Sequence, residues 1–519
     1  MHSNLHKETC KHGDYTDLQY YYDLCLPGNS TVLNSFDAVT MRVRDIALNS
    51  ADVRLTLSKA DPVPQLEKEK GVEYLVPLLR TSVEKPRTPG LIENWIAMVK
   101  RNFDCPELTG DVDIEYLSTK VVDRFFEVFV TKDRISPDAY TGSSTSVLDW
   151  LAKQLPTTLG QLANIKVMGA VNEYKHMIKR QAKAKLDNSI LSEYPALQTI
   201  VYHSKDINAI FGPIFDDLTG RLLECIDSER FLFYTRKTPE DVQSFFSNLT
   251  LNQELDVYEL DISKYDKSQN EFHCAIEMKI WERLGFDHYL KSIWEKGHKL
   301  TTITDYTAGI KTAVWYQRKS GDVTTFIGNT VIIACCLASI MPLESCFKAA
   351  FCGDDSIVYL PKGTPCGEIH SGASLLWNFS AKLYKRVHGY FCGRYVVRHP
   401  KGCIVYPDPL KLITKLGNKS IKDYDHLEEF RISLFDVFKP LTNDCYFSFL
   451  DDAIREVYPQ ACSCSFVLCA LYKYLSDPFS FRNIFLCGVD FHGSSRTKGK
   501  ERIMSKRLHQ GEVRGQSPP

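Results

Sequence analysis

The sequence feature that most constrains the fold is the step Gly353-Asp354-Asp355, which lies between two apolar runs. Phe351 lies near the end of the first run, and residues 357–360 form the second. Apolar runs on both sides of such a turn are typical of a β-hairpin, and Gly-Asp steps are favoured at hairpin tips whatever their function. Two adjacent carboxylates repel each other, and a bound cation relieves that repulsion. The pattern therefore predicts a hairpin whose tip is a candidate metal site.

A second acidic segment lies upstream, where a strand pattern over residues 255–262 is followed by a helical pattern. The apolar residues of the helix recur three or four positions apart, at Phe272, Ile276, Ile280 and Leu284. Asp261 stands near the end of the strand and Asp266 lies in the connecting loop. In isolation, such aspartates are more often turn or helix-capping residues than metal ligands. The segment therefore predicts a strand, a loop and a helix, with two candidate site carboxylates.

A polar segment that opens a long apolar stretch lies between the two acidic segments. It contains Ser320, Gly321, Thr325 and Asn329, and the apolar residues 331–341 follow. This pattern predicts a glycine-containing loop that leads into a buried helix. Thr325 and Asn329 are four positions apart, so on a helix they share one face and can present a hydroxyl and an amide to one ligand. The alternative is an ordinary polar N-terminal turn.

The composition excludes some classes of protein and leaves others open. A chain of 519 residues that is 44% hydrophobic can bury a large core, and its net charge of -1 gives no overall signature of nucleic-acid binding. Any RNA-binding surface must therefore come from local basic segments. The longest apolar stretch, residues 331–341, is too short to span a bilayer. The seventeen cysteines are scattered and several lie within apolar runs, which favours reduced cytosolic thiols.

Two groups of histidines and cysteines are candidate zinc ligands by composition alone. They are His2, His6, Cys10 and His12 near the start of the chain, and Cys462, Cys464 and Cys469 near its end. The first group does not have the spacing of a zinc finger. The second lies among apolar residues, where cysteine is expected to pack as a small apolar side chain. Neither group is predicted to bind metal.

The three segments together resemble the polymerases of alphavirus-like positive-strand RNA viruses. The motifs that carry the resemblance are Asp261-x4-Asp266, Ser320-Gly321-x3-Thr325-x3-Asn329 and Gly353-Asp354-Asp355, in the order and spacing of that family. Residues 259–269 and 316–321 resemble most closely the read-through polymerase portion of tobamovirus and tobravirus replicases. The resemblance extends from about Val76 to Phe485.

The resemblance implies a mixed α/β right-hand fold of fingers, palm and thumb, with the Gly-Asp-Asp hairpin in an antiparallel-sheet palm. The expected divisions are an N-terminal peripheral region and linker at 1–90, mainly fingers at 91–253, palm with an inserted fingers segment at 254–407, thumb at 408–492, and a basic tail at 493–519. It also implies an RNA-directed RNA polymerase, a nucleotidyltransferase that acts in viral RNA replication and transcription.

The resemblance also assigns roles to the carboxylates and to the polar loop. Asp261 and Asp354 would hold two Mg²⁺ ions, with Mn²⁺ as the alternative, and Asp355 would support them. Asp266 and Asn329 would recognise the ribose 2'-hydroxyl. The residues expected to shape the nucleotide-binding loop are Ser320, Gly321 and Thr325.

Basic residues complete the site that the resemblance implies. Arg180, Lys183 and Lys185 belong to a dense basic run and would contact the triphosphate. Lys382 would donate a proton to the departing pyrophosphate; the alternatives are Lys385 in this role, or an ordinary lysine of an amphipathic helix. Arg394 would lie near the primer phosphates.

The expected partners are template and product RNA, ribonucleoside triphosphates, a methyltransferase-helicase replication protein and host factors. The expected location is the host cytoplasm, at membrane-associated replication complexes that partners would anchor. Two alternatives stay open, namely a non-catalytic product that binds RNA or the replicase, and a reverse transcriptase. The pairing of Asp266 with Asn329 favours ribonucleotides over deoxyribonucleotides. The chain contains no phosphate-binding G-x-x-x-x-G-K-[ST] loop.

Overall fold

The computed structural model describes residues 14–26, 55–57, 74–81, 89–103, 112–131, 135, 143–165, 169–179, 196–366, 369–419, 421–438 and 444–488. The strands are β1 (Leu55–Leu57), β2 (Tyr74–Pro77), β3 (Glu173–Ile178), β4 (Thr199–Tyr202), β5 (Phe231–Phe233), β6 (Leu255–Ile262), β7 (Leu300–Asp305), β8 (Ile310–Trp315), β9 (Lys348–Cys352), β10 (Asp355–Pro361), β11 (Ala381–Arg386), β12 (Gly389–Phe391), β13 (Arg394–His399), β14 (Gly402–Pro407) and β15 (Phe485–Gly488).

The helices before the Gly-Asp-Asp step are α1 (Tyr15–Cys25), α2 (Leu91–Arg101), α3 (Ile114–Phe129), α4 (Ser144–Ala152), α5 (Pro156–Ala163), α6 (Lys205–Cys225), α7 (Pro239–Phe246), α8 (Tyr265–Ser268), α9 (Glu271–Arg283), α10 (His288–Lys299) and α11 (Thr325–Ile340). Those after it are α12 (Ile369–Leu375), α13 (Pro409–Asn418), α14 (Tyr424–Val437), α15 (Phe447–Val457), α16 (Ser465–Ser476) and α17 (Pro478–Asn483). Short 3-10 turns cover Leu343–Ser345 and Asp444–Tyr446.

The sheet that contains the Gly-Asp-Asp step has the strand order β11-β6-β10-β9-β5. All neighbours are antiparallel except β5 and β9, which are parallel. Strands β9 and β10 form the predicted hairpin, and Asp355 pairs with Cys352 next to its tip. The prediction of a mixed α/β fold with this hairpin in a mainly antiparallel sheet is confirmed.

The continuous apolar run of β10 follows from burial on both faces of this sheet. Val358 and Leu360 point into the large core cluster, whereas Ile357 and Tyr359 point into a smaller cluster on the other side. A strand covered on both faces needs apolar residues at every position and loses the alternation of a half-exposed strand. The large cluster also contains most of α11, whose residues are buried on nearly all sides. The predicted buried helix is therefore confirmed.

A second sheet, with the order β1-β8-β7-β3-β4, lies beside the polar loop that precedes α11. Its inner face packs against α2 through apolar residues that include Tyr174, Val201 and Ile303. Strand β4 contacts the loop directly, because the Gly321 amide donates a 2.9 Å hydrogen bond to the Val201 carbonyl. This sheet therefore supports one side of the candidate site.

The C-terminal part of the described chain contains a three-stranded sheet, β12-β13-β14, and the helices α13 to α17. Helix α1 packs into this region, where Leu18, Tyr21 and Tyr22 have no exposed surface. Strand β2 pairs antiparallel with β15. The sequence analysis did not foresee that N-terminal residues pack here, and the division of the chain into domains stays a prediction.

The cysteines near the C-terminus and the helices can be compared with the expectations about metal binding and membrane spans. Cys464 and Cys469 are buried, and Cys462 packs against the C-terminal core cluster, as expected for packing residues. The group formed by His2, His6, Cys10 and His12 lies outside the described residues. Within the described ranges, no helix combines the length and the apolar character needed to cross a bilayer.

Candidate active site

Three exposed carboxylates lie where the central strands of the sheet β11-β6-β10-β9-β5 end. Asp261 is the penultimate residue of β6, and Asp354 and Asp355 lie at the hairpin tip between β9 and β10. Glu259 pairs with Ile357, and continuing this register by two residues on each strand brings Asp355 level with Asp261. Strand pairing, which the sequence does not specify, thus brings the two acidic motifs to the same end of the sheet.

The carboxylates fit Mg²⁺ by the chemistry of their oxygens. Among the described residues, no cluster of three or more His, Cys, Asp or Glu side chains is arranged to hold a metal ion. Mg²⁺ does not require such a cluster, because it retains water and binds through one or two carboxylates together with substrate phosphates. Exposed aspartates at a strand end and a hairpin tip suit such an open site.

Asp266 and Asn329, which the sequence analysis paired, are joined by a hydrogen bond. Asn329 Nδ2 donates to Asp266 Oδ1 at 2.7 Å, and Asn329 Oδ1 accepts from Gln269 Nε2 at 2.8 Å. Gln269 Oε1 in turn accepts from Arg318 Nε at 3.0 Å. Burial raises the pKa of Asp266, and the bond from Asn329 and the charge of Arg318 offset part of that rise.

Arg318 anchors the far end of this chain of hydrogen bonds. It is buried and forms an ion pair with the buried Glu277 of α9. A Cβ atom on Gly328 would lie 2.7 Å from Glu277 Oε1 and 2.9 Å from Arg318, so a larger residue there would displace the ends of the paired side chains. No role was predicted for Arg318, Gln269 or Glu277. Arg318 and Gln269 lie inside the segments 316–321 and 259–269 that carried the resemblance, which is the one signal that singled them out.

The side chains of the polar loop bond to backbone groups. Ser320 Oγ donates to the Thr199 carbonyl at 3.0 Å and accepts from the Val201 amide at 3.2 Å. Thr325 Oγ1 donates to the Lys319 carbonyl at 2.5 Å. A Cβ atom on Gly321 would lie 3.0 Å from atoms of β4. These contacts hold the loop against its neighbours, as expected if Ser320, Gly321 and Thr325 shape it.

Two adjoining cavities lie beside the hairpin tip, and Ser320, Asn329 and Asp354 line both of them. The first has a volume of about 420 Å³ and also contains Asp266 in its wall. The second, of about 600 Å³, also contains Asp355. Asp261 lines neither cavity, but its neighbour Ile262 lines the first. Asp266, Asn329, Asp354 and Asp355 therefore border two adjoining cavities, and Asp261 lies next to Ile262 in the wall of the first.

The first cavity contains basic residues that the sequence analysis did not assign. They are Lys100, Arg101, Lys264, Lys267 and Arg318. Burial lowers the pKa of Arg101, and the negative charge of Asp266 opposes that change. The pair Lys100-Arg101 ends α2, where basic residues commonly stabilise the helix C-terminus, so the sequence offered no signal of a binding role.

The remaining predicted residues fall in three places. Arg180, Lys183 and Lys185 lie outside the described residues. Lys382 lies on β11 and pairs directly with Asp261 of β6, which overturns the alternative of an amphipathic helix at this position. Lys385 instead forms a 2.9 Å ion pair with Asp256. Arg394 begins β13, next to the turn that contains Gly393.

Comparisons with known proteins identify the family to which the sequence is similar. Residues 43–484 match the sequence model of the family described as RNA dependent RNA polymerase. The replicase large subunit of Turnip vein-clearing virus is 58% identical over 485 residues, which are 93% of this chain and 30% of that protein. The replicase large subunit of Tobacco mosaic virus (strain Korean NC 82) is 57% identical over 490 residues, which are 94% of this chain and 30% of that protein.

Another relative and one solved structure complete the comparison. The replicase large subunit of Pepper mild mottle virus (strain Japan) is 57% identical over 486 residues, with the same 30% coverage of that protein. The chain thus spans about 30% of the length of the curated relatives it matches. The crystal structure of an insertion-loop deletion mutant of a human picobirnavirus RNA-dependent RNA polymerase is 12% identical, with a TM-score of 0.42 and coverage of 76% of this chain and 83% of that one.

Proposed function

Because this chain belongs to the RNA-dependent RNA polymerase family, we propose that it catalyses template-directed addition of ribonucleotides to RNA during viral replication and transcription. The observation that carries the proposal is the meeting of Asp261 with the Gly353-Asp354-Asp355 tip at one edge of the palm sheet. Two acidic motifs that are separated by about ninety residues in sequence thereby border one solvent-open site.

Asp261 and Asp354 would hold Mg²⁺, with Mn²⁺ as the alternative, and Asp355 would support them. When bound, the ions supply Lewis-acid chemistry, activating the primer 3'-hydroxyl and neutralising charge on the pyrophosphate. All three carboxylates are exposed, and Asp354 and Asp355 line the second cavity, which leaves them open to phosphate oxygens and a metal ion. The sheet behind them fixes their positions, which favours a geometry that is preorganised before substrate binds.

Sugar recognition would come from Asp266 and Asn329. Gln269 donates to Asn329 Oδ1 and so directs the Asn329 amide hydrogens towards Asp266. The Asp266 carboxylate, in the cavity wall, would accept a hydrogen bond from the ribose 2'-hydroxyl. A deoxyribonucleotide cannot donate this bond, and a partly buried carboxylate would lose a partner.

The triphosphate would be neutralised by basic residues of the first cavity, above all Arg101 and Lys264. Arg180, Lys183 and Lys185 keep their proposed role in the same contact. Lys382 would donate a proton to the leaving pyrophosphate; it is the direct cross-strand partner of Asp261, and such partners share one face of a sheet. Arg394 would contact primer phosphates.

The partners and location are proposals of the same kind. The chain would bind template and product RNA and act with a methyltransferase-helicase replication protein and host factors. Its place would be membrane-associated complexes in the host cytoplasm. The proposed divisions are mainly fingers at 91–253, palm with an inserted fingers segment at 254–407 and thumb at 408–492, between the N-terminal region at 1–90 and the basic tail at 493–519.

The test is primer extension by the purified protein with ribonucleotides and, separately, with deoxyribonucleotides. Asp354→Asn should abolish extension, because it removes the charge that holds the metal while keeping the side-chain shape. Asp256→Asn, on the same strand as Asp261 but ion-paired to Lys385, is the matched control and should stay active. RNA binding without extension by the wild-type protein would favour the non-catalytic alternative, and preferential use of deoxyribonucleotides would favour a reverse transcriptase.

A further inference from the structure

A buried cluster of four polar side chains lies under the polar loop that precedes α11. It consists of Asp322 from the loop, His298 from α10, Tyr174 from β3 and His203, which follows β4. The side chains of Asp322 and His203 are 1% and 0% exposed, and that of His298 is 9% exposed. The roles proposed above do not use this cluster.

Both ring nitrogens of His298 face oxygen atoms. Nδ1 lies 2.8 Å from the Trp294 carbonyl, which can only accept a hydrogen bond. Nε2 lies 2.7 Å from Asp322 Oδ2 and 2.9 Å from the Tyr174 hydroxyl oxygen. Because the Tyr174 hydroxyl donates its hydrogen to Asp322, a neutral ring would turn a lone pair towards the Trp294 carbonyl or the Asp322 carboxylate, whereas an imidazolium donates to both. The contacts therefore favour a charged His298.

Asp322 is suited to be the counterion. Burial alone would raise the pKa of Asp322, but its contacts with His203 and His298 hold it well below the usual range. Its Oδ2 also accepts from the Tyr174 hydroxyl at 3.1 Å, and its Oδ1 accepts from the Val323 amide at 2.7 Å. A carboxylate with this many donors is stable in ionised form even when buried.

The other charged and titratable groups around the pair are compatible with this assignment. His203 Nε2 lies 2.7 Å from the Val171 carbonyl, and its Nδ1 lies 3.6 Å from Asp322 Oδ1. The Lys319 ammonium lies 5.4 Å from the centre of the Tyr174 ring. Arg318 contributes positive charge near Asp322 and is neutralised by Glu277. The surroundings therefore stabilise an anion at Asp322.

The cluster connects to the nucleotide site through a short length of backbone. Asp322 lies between Ser320, which lines both cavities, and Thr325, the first residue of α11, and both Asp322 and Thr325 line the second cavity. The amide of Thr325 also donates to the Asp322 carbonyl. Fixing Asp322 to α10 and β3 therefore fixes the loop against the sheet at a point between these two residues. One turn further along α11 is Asn329, the proposed sugar-recognition residue.

We propose that His298 is a buried imidazolium paired with Asp322, and that this pair, with Tyr174 and His203, is a positioning unit that holds the loop for nucleotide binding. The inference rests on the proposed function. It assigns these residues no contact with substrate; they act through Ser320 and the start of α11. Removing the charge pair should loosen the loop and weaken nucleotide binding more than the chemical step.

The kinetic test uses His298→Gln and Asp322→Asn in a protein whose wild-type form extends RNA. Each variant should raise the KM for ribonucleotides about tenfold while kcat falls less than about threefold, since binding geometry is lost but the carboxylates are not. The double variant should be less impaired than the two effects combined, because the residues act as a pair. Tyr174→Phe, which removes only a hydroxyl, should give a smaller rise in KM.

The matched control is His288→Gln, which changes an exposed histidine of the same helix and should leave KM unchanged. Unchanged KM in folded His298→Gln and Asp322→Asn, with only a lower melting temperature, would overturn the positioning role. The charge state has its own readout in ¹⁵N spectra of histidine-labelled protein at neutral pH, with the signal of His298 assigned by its loss in His298→Gln. Hydrogen on both ring nitrogens is expected, and hydrogen on only one would overturn the imidazolium even if the wild-type protein proved inactive as a polymerase.

Discussion

Asn329 shows how the position of a single side chain can be fixed by its neighbours before substrate binds. Its amide is held between Gln269 and Asp266, and the Tyr265 hydroxyl donates to its backbone carbonyl at 2.9 Å. Three of its polar groups therefore have partners before any nucleotide binds. A side chain fixed in this way can discriminate between substrates, because it cannot rearrange to suit the wrong one.

Replacing Asn329 with Ala should reduce the preference for ribonucleotides over deoxyribonucleotides. Loss of one buried polar contact corresponds to about 1 to 3 kcal/mol of discrimination. The measurement is kcat/KM for both nucleotide types, with a melting curve for each protein. Asn252→Ala, at an exposed position, is the control. Equal losses for both sugars with a lower melting temperature would instead indicate a packing role.

Arg101 has one role suggested by the sequence and another suggested by the structure. It reads as the basic end of a helix, but its side chain borders the cavity that contains Asp266. Arg101→Gln should raise the KM for ribonucleotides about tenfold, because one charge-assisted phosphate contact contributes roughly 1.5 kcal/mol. Arg455→Gln, on the exposed face of α15, should change KM little. A loss of template affinity with unchanged KM would assign Arg101 to the RNA channel.

At the scale of elements, the parts that sequence predicted well are those with a local cause. The β9–β10 hairpin, the strand β6 and the helices α9 and α11 follow from apolar periodicity and turn residues within each segment. What could not be predicted depends on partners distant in sequence. The pairing of Lys382 with Asp261 is an example, because strand order is set by tertiary packing and not by either strand alone.

The same distinction explains which site residues were missed. Asp261, Asp354 and Asn329 belong to motifs with a recognisable spacing. Glu277 has no such pattern, and Gln269 only ends the segment 259–269 that carried the resemblance. Their roles appear when the fold brings Arg318 between them, because a buried guanidinium needs partners.

Helix α1 belongs to the N-terminal region that was expected to be peripheral, but it packs into a core. Leu18 is fully buried in the C-terminal core cluster, and the Tyr474 hydroxyl bonds Asp14 next to the helix. Leu18→Ala should therefore destabilise this region by about 2 to 5 kcal/mol, as expected for a large-to-small change in a core. Tyr20→Ala, on the exposed side of the same helix, is the control.

Thermal unfolding and limited proteolysis of both variants measure this effect. Because a chain of this size need not unfold in one step, the comparison should follow the transition that releases the C-terminal helices. Equal melting temperatures for Leu18→Ala and Tyr20→Ala would contradict the packing of α1.

At the scale of the whole molecule, buried histidines link stability to pH. His298 faces two oxygens, but other buried histidines accept hydrogen bonds from backbone amides. His273 Nδ1 accepts from the Asn270 amide at 3.0 Å, and His388 Nδ1 accepts from the Arg398 amide at 3.1 Å. Protonation at Nδ1 would place two donors against each other. Burial lowers the pKa of His273 to about 3 and that of His388 to about 4.

A histidine whose folded pKa lies below its unfolded value stabilises the fold above the unfolded pKa and loses that contribution as the pH falls. For His388 the window runs from the ordinary value of 6.5 down to about 4. One pKa unit corresponds to about 1.4 kcal/mol, so full protonation of His388 would remove about 3 kcal/mol. The protein should therefore lose stability steadily below pH 6.5.

The measurement is the melting temperature between pH 7.5 and 4.5 for the wild-type protein, His388→Gln and His288→Gln. Glutamine at 388 does not titrate and can still accept the Arg398 amide, so His388→Gln should show a shallower fall in melting temperature. His288 is exposed, so its replacement should leave the wild-type slope unchanged. Carboxylates that titrate in the same range affect all three proteins alike, which makes the difference in slope specific to the histidine. Parallel curves for His388→Gln and the wild-type protein would show that His388 does not contribute to acid sensitivity.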